Sequence, residues 1–180
     1  MKSKDLAFVG LFAAITSVMA QISIPLPFTP VPITFQLLAV CMAGAILGSR
    51  LGGLSILVYD LLGAVGIPVF AGFTGGLGSI TGPRGGYIIA FPIAAFLIGY
   101  IIEHARSNKK VMTFIAMFAG LVIIYFLGMI QLSAVTGLNM VKAFYAGVLP
   151  FIPLDMVKIV IAAFISMPVR EAVMRFSSSG

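Results

Sequence analysis

Charge is scarce in this chain. Lys, Arg, Asp and Glu make up 9% of its 180 residues, against about a quarter in an ordinary soluble domain. Hydrophobic residues reach 61%, which excludes a water-soluble fold. There is one cysteine, Cys41, and it lies inside an apolar run, so neither a disulfide framework nor a thiolate metal set is available. There is one histidine, His104, beside Glu103 and Arg106 in a polar stretch that reads as a solvated loop. With five acidic residues scattered along the chain, the clustered acids, bases and nucleophiles of an active site are missing. An enzyme is therefore not expected, and no cofactor or metal is called for. The glycine-rich "TGPRGG" around Arg84 lacks the GK[ST] ending of a phosphate-binding loop and follows no predicted strand, which argues against ATP binding. The net charge of +6 forms no basic stripe or run, so nucleic acid is not an expected partner.

Long apolar runs are what the chain has instead. A helix needs about 20 apolar residues to cross a 30 Å hydrocarbon core, and six stretches approach or reach that length. They fall near 6–24, 33–47, 51–67, 87–102, 111–132 and 153–169. Pro25 and Pro27 stop the first and Pro68 the third, because proline lacks the amide donor. "MKSK" before an apolar stretch ending in "SVMAQ" imitates a secretory signal. Its apolar run is long enough to span, however, and we read it as a retained first helix. A loop and a short interfacial helix fit "GLNMVKAFYAGVLPFIP". The expected fold is an all-α integral membrane protein with residues 1–180 as one six-helix transmembrane domain. On that layout one side receives Lys2, Lys4, Arg50, Arg106, Lys109, Lys110, Arg170 and Arg175, and the other only Arg84, Lys142 and Lys158. Eight against three predicts both termini in the cytoplasm. It also puts the proline-rich "SIPLPFTPVPIT" and the glycine-rich "AGFTGGLGSITGPRGG" outside.

Few polar residues interrupt the spans, and each raises a question. Asp155 and Lys158 stand three residues apart and so share a helix face. They fit either an ion pair at the interface, with Lys158 snorkelling outward, or the polar floor of a small-molecule site. Arg84 fits either a lipid headgroup anchor or a bidentate clamp on a carboxylate or phosphate. Asp60, near mid-membrane beside Tyr59, fits a buried structural carboxyl, a ligand contact or a proton relay. Gln36, near the outer end of the second span, is expected to face a ligand, and Gln131 to bond another helix. Phe28, Phe35, Phe70, Phe73 and Tyr87 cluster in or beside the outer loops and together could wall a cavity. In the first helix Gly10 and Ala14, and Ala13 and Ser17, are small residues four apart. Such a strip suits packing within the bundle or docking of another membrane subunit.

Three stretches, "QISIPLPFTPVPITFQLLAV", "GLGSITGPRGGYIIAF" and "LPFIPLDMVKIVIAA", resemble the signature segments of the BioY family. These are the biotin-specific substrate-binding (S) components of energy-coupling-factor (ECF) transporters. The resemblance implies high-affinity capture of biotin near the extracellular face by a multi-pass protein of the plasma membrane. It implies import through a transmembrane T component and two cytoplasmic ATPase subunits, with Gly10, Ala13, Ala14 and Ser17 on the docking surface. Asp155 and Lys158 are similar to the family's ligand-binding pair, and Arg84, Tyr87, Gln36 and Phe73 complete the expected site. A carboxylate at Asp155 suits the ureido N–H donors of biotin, and Arg84 or Lys158 suits its valerate. The reverse placement, with Arg84 on the ureido carbonyl, also fits. The alternative to ATP-driven uptake is a secondary, proton-coupled transporter of biotin or a related vitamin, working through Asp60.

Overall fold

In the computed structural model, described for residues 3–106 and 108–178, seven helices and one small hairpin follow each other along the chain. Lys2, counted above among the basic residues, lies outside the described range. The order is α1 (Ser3–Gln21), β1 (Ser23–Leu26), β2 (Thr29–Thr34), α2 (Gln36–Ala64), α3 (Leu77–Thr81), α4 (Gly85–Glu103), α5 (Lys109–Thr136), α6 (Met140–Gly147) and α7 (Ile152–Ser178). Five of these helices, α1, α2, α4, α5 and α7, are long and apolar enough to cross a membrane. This is a multi-pass helical membrane protein.

Three elements differ from the expectation. The proline-rich stretch after α1 is an antiparallel β-hairpin, with Ser23 opposite Thr34, Ile24 opposite Ile33 and Leu26 opposite Thr29. The register slips at Pro25, the position that has no amide to give to the ladder. β-Branched Ile24, Thr29, Val31, Ile33 and Thr34 favour the extended chain, and a two-stranded ribbon leaves outer edges where proline is tolerated. Helix α7 runs well past residue 169 to Ser178. The third difference lies in α2, where the stretches 33–47 and 51–67 are joined with no loop between them.

Helix α2 is broken at Gly48, whose φ of 84° and ψ of −177° are not helical. The chain reverses there. Gln36 Nε2 donates to Tyr59 Oη at 2.6 Å, although a straight helix would hold these residues about 35 Å apart. The arms 36–47 and 49–64 therefore lie side by side. Side chains of opposite charge tie down the two helix ends at the turn. Ser49 donates its N–H to Glu103 Oε1 at 2.8 Å and its hydroxyl to Oε2 at 2.7 Å, so an acid from the end of α4 caps the start of the second arm. Arg170 of α7 donates to the Ala45 carbonyl at 2.5 Å, so a base caps the end of the first. Both match the sign of the helix dipole they face.

The same end collects the chain termini. Lys4 Nζ donates to the Phe176 carbonyl at 3.1 Å, and the rings of Phe8 and Phe176 meet edge to face at 6.3 Å. The Gly48 turn, the end of α4, the start of α5 and the end of α7 thus gather Lys4, Arg50, Arg106, Lys109, Lys110, Arg170 and Arg175. The opposite end holds the β-hairpin, the starts of α4 and α7, and the loop 65–84. Close helix contact in between relies on small side chains: a Cβ on Gly44 would collide with the Ala95 carbonyl, and one on Gly99 with the backbone of Ser49. Without a bulk-water driving force inside a bilayer, such close backbone approach is what holds helices together.

Gly48→Ala should lower stability by about 1–3 kcal/mol from the backbone conformation, which is essentially confined to glycine, and by more because the new Cβ would meet Glu103 Oε1. Thermal unfolding of detergent-solubilised protein checks this. Gly10→Ala, where a Cβ meets nothing within 4 Å, is the control and should not lower the midpoint.

Candidate ligand-binding cavity

At the end opposite the chain termini, the β-hairpin, both arms of α2, α5 and α7 are joined by one chain of polar contacts. Asp155 and Lys158, one turn apart near the start of α7, form an ion pair of 2.7 Å, and their side chains are only 9% and 8% exposed. Lys158 Nζ also donates to the Thr34 carbonyl at 2.7 Å, and Tyr125 Oη of α5 donates to Asp155 Oδ2 at 2.7 Å. Thr34 Oγ1 donates to Gln36 Oε1 at 3.0 Å, and Gln36 in turn donates to Tyr59. Lys158 does not snorkel; its ammonium is turned inward, 5.8 Å from the centre of the Phe35 ring.

Burying two charges costs several kcal/mol each unless they are paired and further hydrogen-bonded. Here every oxygen of Asp155 has a donor, and Lys158 has two acceptors. An ammonium has three N–H donors, so one is left for something in the cavity. Because Asp155 Oδ1 and Lys158 Nζ are in contact, the floor presents an acceptor and a donor side by side.

The cavity above this pair, with the open solvent at its mouth included, comprises about 700 Å³ of empty space. Its walls are mainly apolar, from Val31, Leu37, Phe70, Ile88, Phe91 and Phe151. Arg84, Thr74 and Ser79 add further polar groups to the lining. Among the described residues the guanidinium of Arg84 makes one hydrogen bond, a long one of 3.4 Å to the Ala71 carbonyl. Most of its donors therefore remain available. Tyr87 Oη is already committed to the Gly147 carbonyl at 2.8 Å, so this residue offers its ring to the cavity rather than its hydroxyl.

Five of the six residues singled out from the sequence, Asp155, Lys158, Arg84, Tyr87 and Gln36, line this one cavity. Phe73 does not: it is 72% exposed on the loop and absent from the lining. Gln131 bonds the Ile80 and Gly82 carbonyls at 2.6 and 2.9 Å, so the helix it bonds is the short α3, together with the glycine-rich loop after it. Asp60 is buried outside the cavity, and its Oδ1 has no hydrogen-bond partner among the described residues. Tyr125 and Thr34 were missed. Tyr125 sits unmarked in an apolar run, and Thr34 contributes a backbone carbonyl that no side-chain pattern could signal. On α1 the small-residue strip is divided: Gly10 and Ala14 are exposed, Ala13 is buried, and Ser17 donates to the Ala13 carbonyl at 2.8 Å.

A helical membrane bundle with a cavity at one end, floored by a desolvated ion pair and walled by apolar side chains, is the architecture of a small-molecule-binding membrane protein. The chain belongs to the BioY family, whose model matches residues 1–175. A "Probable biotin transporter BioY" of Pyrococcus horikoshii is 51% identical over 166 residues, covering 92% of this chain and 96% of that protein. The "Biotin transporter BioY" of Rhizobium etli is 40% identical, with 94% of each chain covered. A crystal structure of "the S-component for biotin from an ECF-type ABC transporter" superposes with a TM-score of 0.86 at 30% identity, covering 96% of this chain and 94% of that one.

Lys158→Met should destabilise the protein by about 3–5 kcal/mol, because it leaves the Asp155 carboxylate buried with one donor. Adding Asp155→Leu to it should recover part of that loss. Unfolding of the single and double variants in the same detergent measures the difference.

Proposed function

We propose that this chain captures biotin as the substrate-binding subunit of an ECF-type, ATP-driven uptake system. It is a transport protein, not an enzyme. The observation that carries the reading is the cavity floor, where Asp155 Oδ1 and Lys158 Nζ stand 2.7 Å apart. A ureido group offers an N–H next to a carbonyl oxygen, and an adjacent acceptor and donor complement that edge. Arg84, with most of its donors uncommitted, takes the valerate carboxylate, a role that its planar guanidinium suits. The apolar walls cover the thioether ring and alkyl chain, and the ring of Tyr87 belongs to that surface. Gln36 acts on the ligand side by fixing Thr34 beside Lys158.

The two arms of α2 count as separate crossings, which makes six. Basic residues gather at the end away from the cavity, and positive charge is retained on the cytoplasmic side; on that ground both termini face the cytoplasm of the plasma membrane and the cavity opens outward. The partners are a transmembrane T component and two cytoplasmic ATPase subunits. Gly10 and Ala14 form the open part of the docking face on α1, with Ala13 and Ser17 shaping it from behind.

Titration of the purified protein with biotin and a panel of other vitamins tests this reading. Biotin-selective binding is expected, with Asp155→Ala losing about thirtyfold or more, the cost of truncating one member of a buried charged pair. Arg84→Ala should erase the preference for biotin over its neutral primary amide, whereas the opposite ligand orientation would move that effect to Lys158. A proton-coupled route through Asp60 makes a different prediction: vesicles holding this chain alone would accumulate biotin under a proton gradient. We expect no accumulation until the T component, the ATPases and ATP are supplied.

A further inference from the structure

One wall of the cavity is held from outside it. Residues Phe70, Ala71 and Thr74 line the cavity, in a tight loop closed by the Phe70 amide on the Thr74 carbonyl at 2.9 Å and the Thr74 amide on the Phe70 carbonyl at 3.3 Å. At its tip Phe73 has φ +56°, the only non-glycine residue with positive φ among the described residues. That conformation is uncommon, and for a bulky side chain it has to be imposed by surrounding contacts. Packing does not impose it here, since Phe73 is 72% exposed.

Beyond the Phe70–Thr74 pairing, a second contact holds this backbone, and it comes from Gln21, the last residue of α1. Its Oε1 accepts from the Phe73 amide at 2.9 Å. Its Nε2 faces the Val69 and Phe70 carbonyls at 3.2 and 3.3 Å, and the Ser17 carbonyl of its own helix at 3.1 Å. One carboxamide thus fastens both sides of the loop to the end of α1. The wall so held includes the Ala71 carbonyl that accepts from Arg84. Gln21 itself is not part of the cavity lining.

We infer that Gln21 is a positioning residue that latches the 69–73 segment to α1 and so sets how long a ligand stays in the cavity. The latch rests on the proposed role of the cavity as the biotin site. Because Gln21 lies outside the cavity lining, its removal acts on release more than on capture. It also makes a specific link to Phe73: glycine adopts a positive φ without help, so Phe73→Gly should remove the need for the latch.

The test is the rate at which radiolabelled biotin leaves the purified full-length protein when chased with unlabelled biotin. Gln21→Ala should release it roughly tenfold faster, the scale expected when hydrogen bonds of about a kilocalorie each are lost. Adding Phe73→Gly to Gln21→Ala should return the rate to within about threefold of the unmodified protein. An unchanged rate in Gln21→Ala overturns the inference. So does a double variant as fast as the single one, because a residue that only caps α1 would not be rescued at Phe73. If Gln21→Ala does not purify folded, Gln21→Met keeps the side-chain volume while losing the hydrogen bonds. Should the unmodified protein hold no biotin, the proposed function fails on its own account and the latch is decided by hydrogen exchange: the Phe73 amide must be protected in the unmodified protein and exchange about tenfold faster without Gln21. Equal exchange there rejects it.

Discussion

Two charges are buried together at Asp155 and Lys158, and much of the surrounding structure can be understood as the means of keeping them there. An ion pair taken out of water is tolerated only when its remaining donors and acceptors are met. Helix α7 alone cannot meet them. Tyr125 must come from α5 and the Thr34 carbonyl from the β-hairpin. The hairpin in turn is anchored through Thr34 and Gln36 to both arms of α2. A two-stranded ribbon is marginal on its own, so the pair and the hairpin stabilise each other, and the cavity is the space they enclose.

The far end of the bundle follows a different rule. There the problem is a reversal inside α2 with no loop, and the solution is a single glycine at positive φ with extended ψ, with Glu103 and Arg170 on the two helix ends. The Asp155–Lys158 pair at the cavity end is therefore drawn inward, while Glu103 and Arg170 at the other end serve helix termini. In a chain with so few ionisable groups, this division leaves Asp60 as a buried carboxyl whose Oδ1 has no hydrogen-bond partner among the described residues.

The spanning helices were legible because hydropathy over about 20 residues is a strong signal. Asp155 and Lys158 were legible because two charges at helical spacing inside an apolar run have few bland explanations. The hairpin was not, since three prolines in SIPL and TPVPIT mask a β-branched alternation and read as a turn. The tightness of the Gly48 reversal was hidden for another reason: "GSRLGG" offers three glycines, and only the Glu103 contact, fifty-four residues away in sequence, selects the first of them. Phe73 looked like cavity wall from composition, but its position at a loop tip depends on backbone angles that a residue list does not encode. The extension of α7 past residue 169 was obscured by Pro168 and by Arg170, a base that looked like the end of an apolar span and is instead a cap for its neighbour.

The hydrogen bond from Lys158 to Thr34 joins residues 124 positions apart, and this bears on how the protein is made. A chain emerging from the ribosome can pack α1, α2, α4 and α5 against one another while the ammonium that steadies the hairpin has yet to be synthesised. Contacts of such long sequence separation form late. A product truncated before α7 would retain much of the packed bundle yet have neither the floor of the cavity nor a fixed hairpin above it. The floor of the cavity is thus complete only once the last helix is in place.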